Sequence, residues 1–181
     1  MEYMNHDELS RLFRVIHAGN KTHHMACLVA FWTGARVSQV LRLQGQDIFE
    51  SKGIIVIKIH AAKRGNARLH TLHVDADPAF DLSPLIDLAK RRPNSLLFAG
   101  LSRQYLNLRL KSYCAEAGIH TDAGHMHVFR HSIAISIWNA TQSLGAISEF
   151  LQHRSAGSAL VYLKERDGVL AQTAVDGIQL A

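Results

Sequence analysis

One stretch, Ile54-Ile55-Val56-Ile57-Lys58-Ile59-His60, is β-branched almost throughout and follows directly on Gly53. Branching at Cβ restricts χ1 against the preceding turn of a helix and suits a pleated, half-buried surface, so this run reads as a strand. Arg68-Leu69-His70-Thr71-Leu72-His73-Val74 then alternates apolar with polar side chains. The two runs form a hairpin around Ala62-Lys63-Arg64-Gly65-Asn66-Ala67, with Lys63, Arg64 and Arg68 gathered at its tip. The other long patterned segments have helical spacing. A chain with one small β element set among amphipathic helices is α+β, mainly α-helical, with a small antiparallel sheet or hairpin.

The helices announce themselves by caps as well as by period. Asn5 followed by Glu8 has the form of a capping box, and Leu9, Leu12, Phe13 and Ile16 continue at helical spacing, which predicts a first helix over 6–18. Gly19-Asn20-Lys21 breaks it. Met25 to Thr33 is apolar enough for a buried helix that stops at Gly34, and Val37 to Leu43 is a further short one. Pro78, Pro84 and Pro93 punctuate the next section around a helix from Ser83 to Arg91. Ser102 to Ala117 is an amphipathic helix carrying Arg103, Arg109 and Lys111, and Gly118 ends it. Helices over 132–139, 144–151 and 159–164 complete the pattern, the last bearing Tyr162.

A chain of 181 residues with 48% hydrophobic content can bury one sizeable core, so a single domain is expected. Lys and Arg total 20 against 15 Asp and Glu, a formal charge of +5 that suits a polyanionic partner. Cys27 and Cys114 stand far apart without C-x-x-C spacing, which indicates neither a disulfide framework nor a thiolate metal site and fits a reducing cytoplasm. The polar, acidic start Met1-Glu2-Tyr3-Met4-Asn5-His6-Asp7-Glu8 is unlike a signal peptide, and no apolar run reaches membrane-spanning length. No membrane partner is expected.

Chemistry concentrates near the C-terminus, in His125-Met126-His127-Val128-Phe129-Arg130-His131-Ser132. On a helix His127, Arg130 and His131 lie at i, i+3 and i+4, a face suited to gripping a phosphate. Arg36 stands at a helix start just after a buried helix, and Leu151-Gln152-His153-Arg154 and Leu160-Val161-Tyr162 follow downstream. A metal-dependent hydrolase built on His125, His127, His131 and His153 is an alternative, but no carboxylate is spaced beside them as such a site requires.

Taken together, Thr33-Gly34-Ala35-Arg36-Val37-Ser38, Lys63, His127-Val128-Phe129-Arg130-His131-Ser132, Leu151-Gln152-His153 and Tyr162 resemble the catalytic domain of the tyrosine recombinases, the phage integrase family. The order Arg, Lys, His-x-x-Arg, His, Tyr is the family's, as are the 23-residue step from Arg130 to His153 and the 9-residue step from His153 to Tyr162. The chain departs from the pattern at Gln39, where the family usually has Glu, and at Gln152, where Gly commonly precedes the His.

The resemblance implies a site-specific recombinase or integrase that cleaves and rejoins DNA through a 3′-phosphotyrosyl intermediate. Arg36 and Arg130 would meet the non-bridging oxygens of a five-coordinate phosphorus, which planar guanidinium groups can engage bidentately. Tyr162 would be the nucleophile, Lys63 would protonate the leaving 5′-oxygen, His127 would act as acid/base on the tyrosine side, and His153 would hydrogen-bond the phosphoryl oxygen. Bond energy is kept in the covalent link, so no cofactor and no metal are expected. Arg64, Arg68 and Arg154 are the expected DNA-backbone contacts, and His125 and His131 are supporting residues.

The implied partners are double-stranded DNA, further copies of the chain in a tetramer on that DNA, and accessory DNA-bending proteins. Residues 1–181 would form the catalytic domain without an N-terminal core-binding domain, either as a short member like the fimbrial phase-variation invertases, which the opening Met1 favours, or as part of a longer protein. The tail over 163–181 carries Val169, Leu170, Ala174, Val175, Ile178 and Leu180 at roughly helical spacing and would dock on a neighbouring protomer. A type IB topoisomerase-like enzyme and a non-catalytic DNA-binding relative are the competing readings.

Overall fold

The computed structural model describes residues 3–51, 53–61, 66–73 and 75–151. The chain divides within one helix into a compact unit ending at Ser132 and a second that begins at Ile133.

Asn5 starts the first helix, α1 (His6–Gly19), by a reciprocal pair of hydrogen bonds: the Glu8 N–H donates to its side chain and the Glu8 carboxylate accepts from its N–H, both at 2.9 Å. This capping box satisfies two of the helix's orphan donors and sets the register that turns Leu9, Leu12, Phe13 and Ile16 inward. Asn20 then serves two helices. Its N–H donates to the Ile16 carbonyl at 2.8 Å to close α1, and its side chain accepts from the His23 N–H at 2.9 Å to open α2 (Lys21–Thr33). Every residue of α2 from His23 to Phe31 is buried, so this helix lies inside the unit.

α3 (Val37–Val40) is shorter than the helix expected to reach Leu43. Beyond Val40 the chain tightens into turns, the Arg42 N–H donating to the Gln39 carbonyl at 3.2 Å and the Leu43 N–H to the Val40 carbonyl at 3.1 Å, before the Leu43 carbonyl accepts from the Leu97 N–H at 2.9 Å beside an isolated Gln44–Leu96 bridge. A 3-10 turn, Gly45–Asp47, leads into β1 (Ile48–Ser51), which the sequence pattern did not reveal. Four residues are too few to show alternation, and pairing with the neighbouring strand makes the strand. β2 (Ile54–Ile59) and β3 (Arg68–His73) form the expected hairpin, giving a three-stranded antiparallel sheet in the order β1-β2-β3. Its last pair is Ile59 with Arg68.

α4 (Ser83–Arg91) begins with Pro84 in its first turn, and α5 (Arg103–Glu116) is capped by Ser102, which accepts from the Tyr105 N–H at 3.1 Å. α6 (His127–Thr141), which runs unbroken from the His-x-x-Arg stretch through the helix expected over 132–139, and α7 (Leu144–Leu151) complete the described elements. The helix expected over 159–164 and the tail over 163–181 lie outside the described residues. Among the described residues no helix is long and apolar enough to cross a membrane.

Phe13, fully buried, is the hub of the first unit. Its ring lies 5.7 Å from that of Phe31, 5.3 Å from Phe80 and 5.4 Å from Phe129. One side chain of α1 thereby holds α2, the loop before α4 and the first turn of α6 around a common point. Phe13→Ala is expected to lower stability by about 3–5 kcal/mol, the usual cost of emptying a packed aromatic site. Urea unfolding followed by circular dichroism measures it.

Candidate functional site

The site grows from the C-terminus of α2. Gly34 closes that helix in the left-handed conformation at φ 60°, which a residue with a side chain adopts only with strain. The Thr33 hydroxyl donates to the Val29 carbonyl and accepts from the Ala35 N–H at 3.2 Å, so the turn is tied back to the helix it leaves. Two residues on, Arg36 opens α3 with its side chain exposed.

Gln39 secures that opening. Its Oε1 accepts from the Arg36 N–H at 3.0 Å and its Nε2 donates to the His60 carbonyl at 2.7 Å. The amide thus acts on the backbone under Arg36, and both its ends are used by neutral partners. A carboxylate in its place could accept from Arg36 but could not donate to His60.

α6 brings the second arginine. The Met126 N–H donates to Asn107 Oδ1 at 3.0 Å, and the Met4 N–H donates to Ser132 Oγ at 2.9 Å, so the first turns of α6 are held from α5 and from the chain before α1. Arg130 is only 4% exposed, and its Nη1 donates to the Gly34 carbonyl. A buried guanidinium has to find acceptors, and a helix C-terminus offers carbonyls with partial negative charge. This bond joins residues 96 apart in sequence and places the origin of Arg130 beside the turn that presents Arg36.

His127 stands on the same helix turn. Partial burial of its ring, then the charges of Arg130, His125 and Arg36, hold its pKa below the ordinary histidine value. Both arginines therefore bear on His127 as like charges, Arg130 more than Arg36. His131 packs beneath, its ring 5.2 Å from that of His127 and edge-on to it, at 5% exposure. Burial, with His127, His125 and Arg130 adding to it, pushes His131 down to about 3. Of the three residues on this side of the helix, His127 is exposed, Arg130 is buried with its guanidinium at Gly34, and His131 is buried and neutral at pH 7.

Arg68 is half-buried at the start of β3, and burial together with its charge lowers the neighbouring His70 to about 4. Lys63, Arg64, His153, Arg154 and Tyr162 lie outside the described residues. Among the described residues no group of three or more His, Cys, Asp or Glu is arranged to hold a metal ion. A second link went unnoticed in the sequence: His60 Nε2 lies 2.7 Å from Asp47 Oδ1. Nothing in the 13-residue separation marks that pair.

A family model described as the phage integrase family matches residues 2–168. Tyrosine recombinase XerH of Campylobacter jejuni is 23% identical over 171 residues, covering 89% of this chain and 48% of the relative. Tyrosine recombinase XerC of a Roseiflexus species is 30% identical over 145 residues, covering 72% of this chain and 43% of the relative. The chain spans somewhat under half the length of these curated relatives. In fold it matches the crystal structure of the XerH site-specific recombinase bound to its difH substrate in a pre-cleavage complex. The TM-score is 0.74 at 23% identity, over 93% of this chain and 53% of that one.

The electrostatics lead to a titration. In histidine-resolved NMR, His127 should protonate below the ordinary value of 6.5, and Arg36→Ala should raise its pKa because a like charge is removed. His131 binds its proton more weakly folded than unfolded, so the unfolded chain takes up more protons below 6.5. Stability should therefore fall as pH drops from 6.5 towards about 3, read as a declining urea midpoint. An Arg36→Ala protein with an unchanged His127 titration would separate the two groups.

Proposed function

The chain belongs to the phage integrase family, and from that membership we propose that it is a site-specific DNA recombinase that cleaves and rejoins duplex DNA through a covalent 3′-phosphotyrosyl link. The observation that carries this reading is the bond from Arg130, one turn after His127 on α6, to the Gly34 carbonyl two residues before Arg36. Two guanidinium groups and an imidazole carried by the elements that meet at this turn suit a phosphodiester whose non-bridging oxygens gain charge at the transition state.

In the proposed reaction the Tyr162 hydroxyl loses its proton and attacks phosphorus, the bond to the 5′-oxygen breaks, and that oxygen takes a proton from Lys63. His127 receives the tyrosine proton and returns it on religation. Its lowered pKa favours the neutral imidazole that can accept it. Arg36 and Arg130 hold the phosphoryl oxygens, with His153 adding a hydrogen bond. The 5′-hydroxyl of a partner strand then reverses the step, so the bond energy is conserved and no cofactor enters the scheme.

The charge of +5 supports a DNA partner, with Arg64, Arg68 and Arg154 as backbone contacts. Exchange of two duplexes calls for four protomers, and the apolar tail over 163–181 would link them head to tail in a cyclic tetramer, with DNA-bending proteins as accessories. Such a protein works in the cytoplasm, where its DNA lies. Residues 1–181 serve as the catalytic domain in this scheme.

Incubation with a nicked suicide duplex carrying its site should yield a protein–DNA adduct joined to the 3′-phosphate. Tyr162→Phe should abolish it, and an adduct that survives the change removes Tyr162 as nucleophile. A protein whose DNA transactions are the same with Phe at this position is a binding relative instead. Lys63→Ala should slow cleavage severely on ordinary DNA and recover on a substrate whose 5′-oxygen is replaced by sulfur, a far better leaving group. Equal defects on both substrates assign Lys63 to binding.

A further inference from the structure

His60 is the first residue past the last paired position of the sheet, since the ladder ends at Ile59 with Arg68. Nothing in the β ladder restrains it, yet its carbonyl is the acceptor for the Gln39 amide that holds the Arg36 backbone. Its restraint comes from the side chain. His60 Nε2–H donates to Asp47 Oδ1 at 2.7 Å, and Asp47 is 4% exposed. The second carboxylate oxygen is also engaged, accepting from the Gln44 N–H at 3.0 Å.

Asp47 is itself a fixed point. It ends the 3-10 turn Gly45–Asp47, and Gly45 sits so close to α4 that an added Cβ would lie 2.3 Å from the Arg92 carbonyl oxygen and 2.5 Å from that of Ala89. A buried carboxylate with both oxygens hydrogen-bonded is an expensive group to disturb, and it transmits its position rather than yielding. The path then runs from the packed turn through Asp47, the His60 ring and carbonyl, and Gln39 to the N–H of Arg36.

We propose that Asp47 and His60 are positioning residues for Arg36, a buried carboxylate fixing the end of β2 so that Gln39 can hold the N-cap residue of α3 in place. The inference rests on the recombinase reading for its effect on DNA, but the link itself is a property of the free protein. A misplacement of about 1 Å in a group that orients a reacting phosphate is enough to cost on the order of a hundredfold in rate. His60→Ala removes the tie to Asp47 while leaving the His60 carbonyl in the chain. His60→Gln keeps a donor at nearly the position of Nε2.

The experiment has two arms. In the free protein, hydrogen–deuterium exchange at the Arg36 amide should quicken by about fivefold or more in His60→Ala, as expected when a hydrogen-bond link is loosened, and return towards the parent rate in His60→Gln. An Arg36 amide that exchanges at the parent rate in His60→Ala overturns the proposal whatever the protein does to DNA. In the second arm, a nicked suicide duplex carries a site selected by the parent protein from a random-sequence library. His60→Ala should form the covalent adduct about tenfold or more slowly with an unchanged dissociation constant for DNA, and His60→Gln should recover most of the rate. Because the residues act in series, Gln39→Ala and His60→Ala together should be little slower than the worse single variant. Fully multiplicative losses, or a loss confined to DNA binding, overturn the proposal. A parent that forms no adduct while the exchange arm gives the expected pattern counts against the recombinase reading and leaves the link standing.

Discussion

The hydrogen bond from Arg130 to the Gly34 carbonyl is the contact on which the described half of the site depends. It brings a charged side chain from α6 to the left-handed turn that ends α2, and the interior tolerates that charge because a helix C-terminus supplies acceptors. The same turn sends the chain into α3 with Arg36 exposed. One guanidinium is therefore bonded to the turn and the other belongs to an exposed residue two positions after it, both referred to a single glycine. A side chain at position 34 would strain the φ of 60° and shift both arginines at once.

Packing makes that arrangement rigid. Phe13 clamps Phe31 of α2 and Phe129 of α6, the residue next to Arg130, so the two helices that meet at Gly34 share an apolar hub. His131 contributes by staying neutral: at about 3 its pKa keeps a further positive charge away from Arg130 and His127. The Gln39 amide does comparable work on the other side, since a neutral group that donates and accepts can bridge two backbone positions where a carboxylate could only accept.

Much of this was legible in the chain. The capping box at Asn5 and Glu8, the stop at Gly34, the hairpin strands and the helices over 83–91 and 144–151 appear where local chemistry places them. Where the sequence reading differs, a distant partner is responsible. α3 gives way after Val40 to tight turns that lead Leu43 to its bond with Leu97, and β1 exists because β2 pairs with it. Helical spacing placed His127, Arg130 and His131 on one face without saying how deeply each is buried. Spacing puts them on one side, but burial depends on what that side packs against.

The sequence by itself determined the kinds of elements and the identity and order of the residues that mark the family, because caps, periodicity and motif spacing are local and covalent properties. It determined that Arg36 and Arg130 are both present. Only the tertiary structure decided that Arg130 is buried and anchored while Arg36 is exposed, that His131 is uncharged, and that Asp47 reaches Arg36 by way of His60 and Gln39. Those outcomes rest on desolvation and on hydrogen bonds between residues as far apart as 96 positions, and both come into being only when the helices pack.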